Sequence, residues 1–164
     1  MTGAKGIVSG LLILASSLAM ANELKSSGGT NLGSVKFTTS CNASVQSKFN
    51  RAVALLHSFQ FSDAIAEFNA VLGQDPSCAI AYWGISLSDW SNPFAPGLKD
   101  PNQLQLGRDS AKRADSVGAK SERERAYIRA VGKLYADFES SPQRARLLAY
   151  RDAMAALAVQ YPED

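Results

Sequence analysis

Cys41, His57 and Cys78 are the side chains of this chain best suited to covalent or metal chemistry. Their spacing fits no zinc pattern, because structural zinc sites draw their cysteines in close pairs and complete the shell with four donors. In an oxidising compartment two cysteines read as one disulfide, Cys41 to Cys78; the other reading is two buried thiols packing as small apolar groups. Closing a loop of that length stabilises by roughly 3 to 5 kcal/mol in the chain-entropy model. His57 stands at the end of a predicted helix, where a cation or a bond to a terminal carbonyl is favourable. Its neighbours Ser58 and Asp63 complete no nucleophile elbow or triad motif. Neither a phosphate-cradling glycine loop nor a catalytic carboxylate pair with a defining motif is present in the sequence. The expectation is a chain that is not an enzyme and uses no metal or cofactor.

The other candidates are aromatic. The first and third expected helices together present Gln46, Phe49, Val53 and His57, then Ile80, Trp83, Leu87 and Trp90 as one candidate inner face. Two Trp and one Phe near a single His make an aromatic-lined groove suited to an extended peptide or a helix. Tryptophan is a strong anchor because it buries a large area for few rotatable bonds. Phe49 reads as core between helices, Trp83 as core or groove wall, and Trp90, beside the Asn92-Pro93 loop, as the accessible anchor. The candidate binding set is therefore His57, Trp83, Leu87 and Trp90, with a protein or peptide as partner.

Helices must hold these residues, and from residue 41 onward the apolar spacing is helical throughout. The fold class is all-α, with about six helices. The first covers residues 43–58; Ser62 is expected to cap a second that runs to Gln74, where Asp75-Pro76 ends it. A third covers residues 77–90 and stops at Asn92-Pro93, since the residue before a proline is pushed out of helical geometry. After a loop at residues 91–99, Asp100-Pro101 starts a fourth that ends at Gly118. Ser121 and Glu124 form a capping box for a fifth that reaches about residue 138, and Ser141-Pro142 opens a sixth that runs to Gln160. Glu122, Glu124 and Arg125 read as a solvated, ion-paired face.

The ends bound the compartment and the partners. Lys5, the apolar run at residues 7–18 and Ala19-Met20-Ala21 read as a cleavable signal peptide over residues 1–21. The run is too short for a membrane span, which needs about 20 apolar residues, so a periplasmic or secreted chain with no span after cleavage is expected. Processing removes Lys5 and no acid, leaving 16 basic against 15 acidic side chains. That balance, with Arg alternating with Glu and Asp, argues against nucleic acid as a partner. Residues 22–40 are rich in Ser, Gly, Thr and Asn and read as a flexible leader, in which the alternating Val35-Lys36-Phe37 could lie extended along the body.

Around Pro76 the residues resemble the tetratricopeptide repeat, a 34-residue helix-turn-helix unit. Ala64, Phe68 and Pro76 match its second helix, and Tyr82, Ile85 and Ser86 match the following first helix, with Asp89 where the pattern has an aromatic. In the opening helix Ala52 and Leu55 match, whereas Lys48 and Arg51 occupy apolar places. The resemblance covers about half of the mature chain. Phrases such as Asp75-Pro76-Ser77-Cys78-Ala79 and Ala81-Tyr82-Trp83-Gly84-Ile85 are similar to exported bacterial proteins of this repeat class. Those proteins are several times longer and carry a histidine-rich stretch farther along. The resemblance implies a tetratricopeptide-like α-solenoid over residues 41–164, an extracytoplasmic location, and a chain that is the amino-terminal part of a longer array. Met154, Leu157 and Tyr161, an apolar stripe with no following helix, agree with that expectation. The leading functional expectation is a peptide-binding scaffold; the alternative is the scaffold part of a metal-dependent or hydrolytic enzyme whose site lies beyond residue 164.

Overall fold

The computed structural model of the chain describes residues 32–164, so the signal-peptide reading and the first part of the leader fall outside the described residues. A short 3-10 turn, Ala43–Val45, leads into α1 (Gln46–His57). There follow α2 (Phe61–Gln74), α3 (Ala79–Trp90), α4 (Pro101–Val117), α5 (Glu122–Lys133) and α6 (Gln143–Gln160). No strand occurs among the described residues, and no helix there is long and apolar enough to cross a membrane. Each helix packs on the next, and α3 also touches α1 and α5. The odd-numbered helices thus form one row, with α2 and α4 each packed on two of its members and α6 on α5. This is the solenoid-like stacking of antiparallel pairs that the apolar spacing predicts.

Local signals start and stop several helices where expected. Asp100 Oδ1 accepts the Asn102 and Gln103 N–H groups at 2.8 and 3.2 Å, Pro101 takes the first helical position, and Gly118 ends α4 at φ 77°. Ser121 Oγ accepts the Glu124 N–H at 3.2 Å and starts α5.

Three expectations need correction. Ser62 does not cap α2, whose N-cap is Gln60. The reason lies in the preceding turn: Phe59 N–H bonds to Leu56 O, Gln60 N–H bonds to Leu55 O, and Phe59 takes φ 60°. This is a Schellman closure of α1 with Phe in the place usually held by glycine, and it delivers the chain directly into α2 at Phe61. Likewise α5 ends at Lys133, and residues 134–140 form turns in which Asp137 has φ 47°. Finally, α6 is preceded by Pro142 and not capped by Ser141, whose N–H bonds back to Asp137 O at 2.7 Å. Arg146, buried on α6, donates to Leu134 O at 3.0 Å and so ties the end of α5 to the next helix.

Small residues let large rings in between helices. The Phe68 ring of α2 lies where a side chain on Gly84 of α3 would be, and the Tyr135 ring lies where one on Gly107 of α4 would be. Both rings are fully buried, each stabilising by about 3 kcal/mol at most. The backbone approach also makes a polar lock: Ser86 Oγ donates to Gly107 O at 2.8 Å, and the Tyr135 hydroxyl donates to Ser86 O at 2.5 Å. Gly132, also helical, faces open space. Gly107→Ala should therefore lower stability by about 2 kcal/mol through overpacking, whereas Gly132→Ala should raise it by about 0.5 to 1 kcal/mol. Urea titration of the two variants checks this, and equal midpoint shifts would count against close packing at Gly107.

Candidate functional site

The face shared by α1, α3 and α5 is covered by the chain's own residues 32–40. Along this strap Val35, Phe37 and Thr39 are partly buried while Lys36 and Thr38 are exposed, the alternation expected of an extended segment. Phe37 is the anchor. Its ring lies 5.5 Å from Phe49 of α1, 5.5 Å from Trp83 of α3 and 5.3 Å from Tyr127 of α5. The Arg123 guanidinium sits 4.3 Å from the same ring centroid, a cation–π contact.

Polar groups of the helices fix the strap backbone. Asn50 Oδ1 accepts the Phe37 N–H at 3.2 Å, and Gln46 Nε2 donates to Phe37 O at 2.7 Å. Gln46 Oε1 accepts from both the N–H and the hydroxyl of Thr39 at 3.0 Å, and Arg123 Nη1 donates to Thr38 O at 2.9 Å. Asp164 orients Arg123 by accepting from Nε at 2.7 and 2.8 Å. Glu124, 2 % exposed, accepts the Ser40 N–H at 2.5 Å and the Ser40 hydroxyl at 2.6 Å. The expected capping box is therefore half made: Ser121 caps α5, but the Glu124 carboxylate is spent on a residue 84 positions away. Glu124 belongs to the buried interior and not to a solvated face.

Immediately after the strap, Cys41 and Cys78 are joined as a disulfide, with Cα atoms 5.0 Å apart. Asp75 reinforces the join, accepting the Asn42 N–H at 2.8 Å and the Ser77 N–H and hydroxyl at 3.1 and 2.6 Å. Burial pushes the Asp75 carboxyl up, but the Ser77 hydroxyl, the Asn42 and Ser77 N–H groups and the charge of Lys120 more than offset this and hold it below the usual carboxylate range. Potential ligand atoms of Cys41, Asp75 and Cys78 lie within 4.8 Å of one another. Both sulfurs are spent in the bond and the carboxylate already serves three donors, so the chemistry of this cluster is that of a latch.

Of the residues expected on the inner face, Gln46, Phe49 and Trp83 do meet at one place, under Phe37. Trp90 is corrected: at 3 % exposed it is core, edge-on to Tyr135 at 5.8 Å with Lys99 Nζ 5.5 Å from its ring. The Asn92-Pro93 loop does not uncover it, because that loop is tied down by Lys99 N–H donating to Gln143 Oε1 at 2.8 Å and Gln143 Nε2 donating to Gly97 O at 3.1 Å. Trp83, 4 % exposed, is a buried wall of the face and offers no open groove. Leu87 is half-buried against the core, and His57 is exposed on the last residue of α1. Val53 and Ile80 are core. Of Asn50, Arg123, Glu124 and Tyr127, which complete the face, the sequence singles out Glu124 alone, as a capping residue on an ion-paired face, and nothing in the spacing marks the other three.

No protein-family model, no curated protein and no solved structure matches this chain.

Two measurements probe the latch beside the face and the packing of α3 on α4. Replacing Cys41 and Cys78 by Ser should cost about 4 kcal/mol in the chain-entropy model and speed amide exchange at Phe37, Thr39 and Ser40; unchanged exchange there would show that the bond does not hold the strap. Asp89, half-buried on α3 and accepting from Ser110 Oγ at 3.4 Å, has its carboxyl pushed up to about 6 by burial, with the Ser110 bond opposing. The folded state thus binds this proton more tightly than the unfolded chain, so stability is highest below about pH 4 for this group and falls as pH rises through 6. Asp89→Asn should remove that decline and raise the melting temperature at pH 7.5, and a lower melting temperature there would contradict the assignment.

Proposed function

We propose that this chain is an exported, non-catalytic helical-repeat scaffold that binds a protein or peptide segment on the concave face formed by α1, α3 and α5. The signal-like residues 1–21 and the disulfide support export. One observation carries the binding function: the face holds an extended chain, its own, through groups that address the backbone. Gln46, Asn50 and Arg123 together satisfy an N–H and two carbonyls of Phe37 and Thr38, while aromatic rings of three helices receive one side chain. Backbone bonds that supply affinity, with a pocket that supplies selectivity, are the chemistry of extended-peptide recognition. The tetratricopeptide resemblance points the same way, since the first helices of such pairs line the ligand face.

Random peptides displayed against the Phe37→Ala chain test this. Peptides carrying an aromatic residue should be enriched, and adding Gln46→Ala should weaken them about tenfold, the worth of one bond to a buried partner. Failure to enrich any peptide, or enrichment of peptides indifferent to both Gln46→Ala and Asn50→Ala, would refute the reading.

A further inference from the structure

We propose that residues 32–40 are a tethered stand-in, and that the ligand of this face is an extended partner segment with an aromatic side chain in the place of Phe37. This rests on the peptide-binding function above and names the ligand class and the control of that site.

What the face reads in the strap is mostly main chain. The bonds from Asn50, Gln46 and Arg123 to Phe37 and Thr38 use peptide groups alone, so they pass to any segment laid along the same path. Selectivity for side chains comes from the aromatic pocket, from Gln46 Oε1, which takes the Thr39 hydroxyl, and from Glu124, whose carboxylate takes the Ser40 hydroxyl. A rival segment therefore carries an aromatic residue followed, two and three positions on, by residues with hydroxyls.

The strap also leaves something unmade. Trp83 Nε1 is buried with no hydrogen-bond partner among the described residues, and it belongs to the indole that stacks on Phe37. A buried donor without an acceptor is destabilising, so a segment that brings an oxygen to it gains roughly tenfold in affinity over the strap's own sequence. Room for a different segment exists alongside: an open groove lined by Leu32, Val35, Gln46, Asn50 and Ala54 separates the start of the strap from α1.

Tethering sets the control. Cys41, four residues beyond Phe37, is bonded to Cys78, so a released strap returns at an effective concentration in the millimolar range or above. The face is self-capped, and a partner binds with its intrinsic affinity reduced by the fraction of time the strap is in place.

The probe is a labelled synthetic peptide of residues 32–40, capped at both ends, titrated into the unaltered chain and into Phe37→Ala. The altered chain should bind it at least tenfold more tightly, and the peptide carrying the same Phe37→Ala change should not bind. Equal affinity for the two chains, or no binding to a Phe37→Ala chain whose circular dichroism is unchanged, overturns the proposal. If that variant loses its helical signal, amide exchange on the unaltered chain decides. A display-selected peptide must then speed exchange at Phe37, Thr39 and Ser40, and one that binds without doing so overturns it. Display-selected peptides that bind Phe37→Ala while the 32–40 peptide does not would leave the peptide-binding function standing and remove the stand-in. Dimerisation of the unaltered chain that Phe37→Ala abolishes would assign the face to the strap of a second copy, and so overturn the partner assignment.

Discussion

The close approach of α3 to α2 and α4, allowed by two missing side chains, is the constraint on which the packing of the described residues depends. Gly84 admits the Phe68 ring from α2, and Gly107 of α4 admits Tyr135 from the turns that follow α5. With the backbones that near, Ser86 and Tyr135 can exchange hydrogen bonds with main-chain carbonyls, and buried polar groups that would otherwise be costly become part of the lock. The same spacing brings Phe49, Trp83 and Tyr127, one from each odd-numbered helix, within reach of a single ring. A side chain at Gly84 would push α3 away from α2 and open that convergence.

The strap is the long-range complement to a body built from neighbour-on-neighbour contacts. Helix pairs in sequence order need only short loop closures, whereas Ser40 meets Glu124 across 84 positions. Such a contact persists only where several groups share the cost of ordering the segment. Here they are a ring in an aromatic pocket, a guanidinium on that ring, four side chains on the backbone and a covalent bond at Cys41. Asp75 shows the same economy: a residue that reads as a helix terminator also holds Asn42 in place, 33 positions back.

The body was legible because its determinants are local. Apolar spacing, Asp100-Pro101, Gly118 and Ser121 specify helices within a turn or two of themselves, and all four acted as expected. The departures have local causes that propensity does not see: Phe59 accepting a left-handed backbone, and the early end of α5 at Lys133, where Arg146 takes the freed Leu134 carbonyl. The disulfide was one of two readings of the cysteine pair, the other being two buried thiols, and the 5.0 Å approach of the Cα atoms at Cys41 and Cys78 selects it. The face was half legible. Gln46, Phe49 and Trp83 fall on helical stripes, but nothing in the spacing of Phe37 announces that three helices converge on it. Trp90 was misplaced for a related reason: a Pro-containing loop reads as open, and only the Gln143 clamp from a distant helix shows that it is shut.

An uncovered α1–α3–α5 face would present Phe49, Trp83 and Tyr127 together, and contiguous apolar patches of that kind adhere without selectivity. A strap that covers them removes the patch while leaving its chemistry intact. Under the proposed function, affinity for a partner would be a difference, the partner's contacts minus those of the strap it replaces, and specificity built from a difference rejects weak imitators that a bare pocket would hold. Segments that merely lay down a backbone gain nothing over residues 32–40, since Gln46, Asn50 and Arg123 are already satisfied. Under that reading, a segment that makes what the strap leaves unmade, such as an acceptor for Trp83 Nε1, would shift the balance. Under the proposed function, the selectivity of this face would rest on the aromatic pocket and Glu124 together with Trp83 Nε1, a buried donor that the strap leaves unpaired.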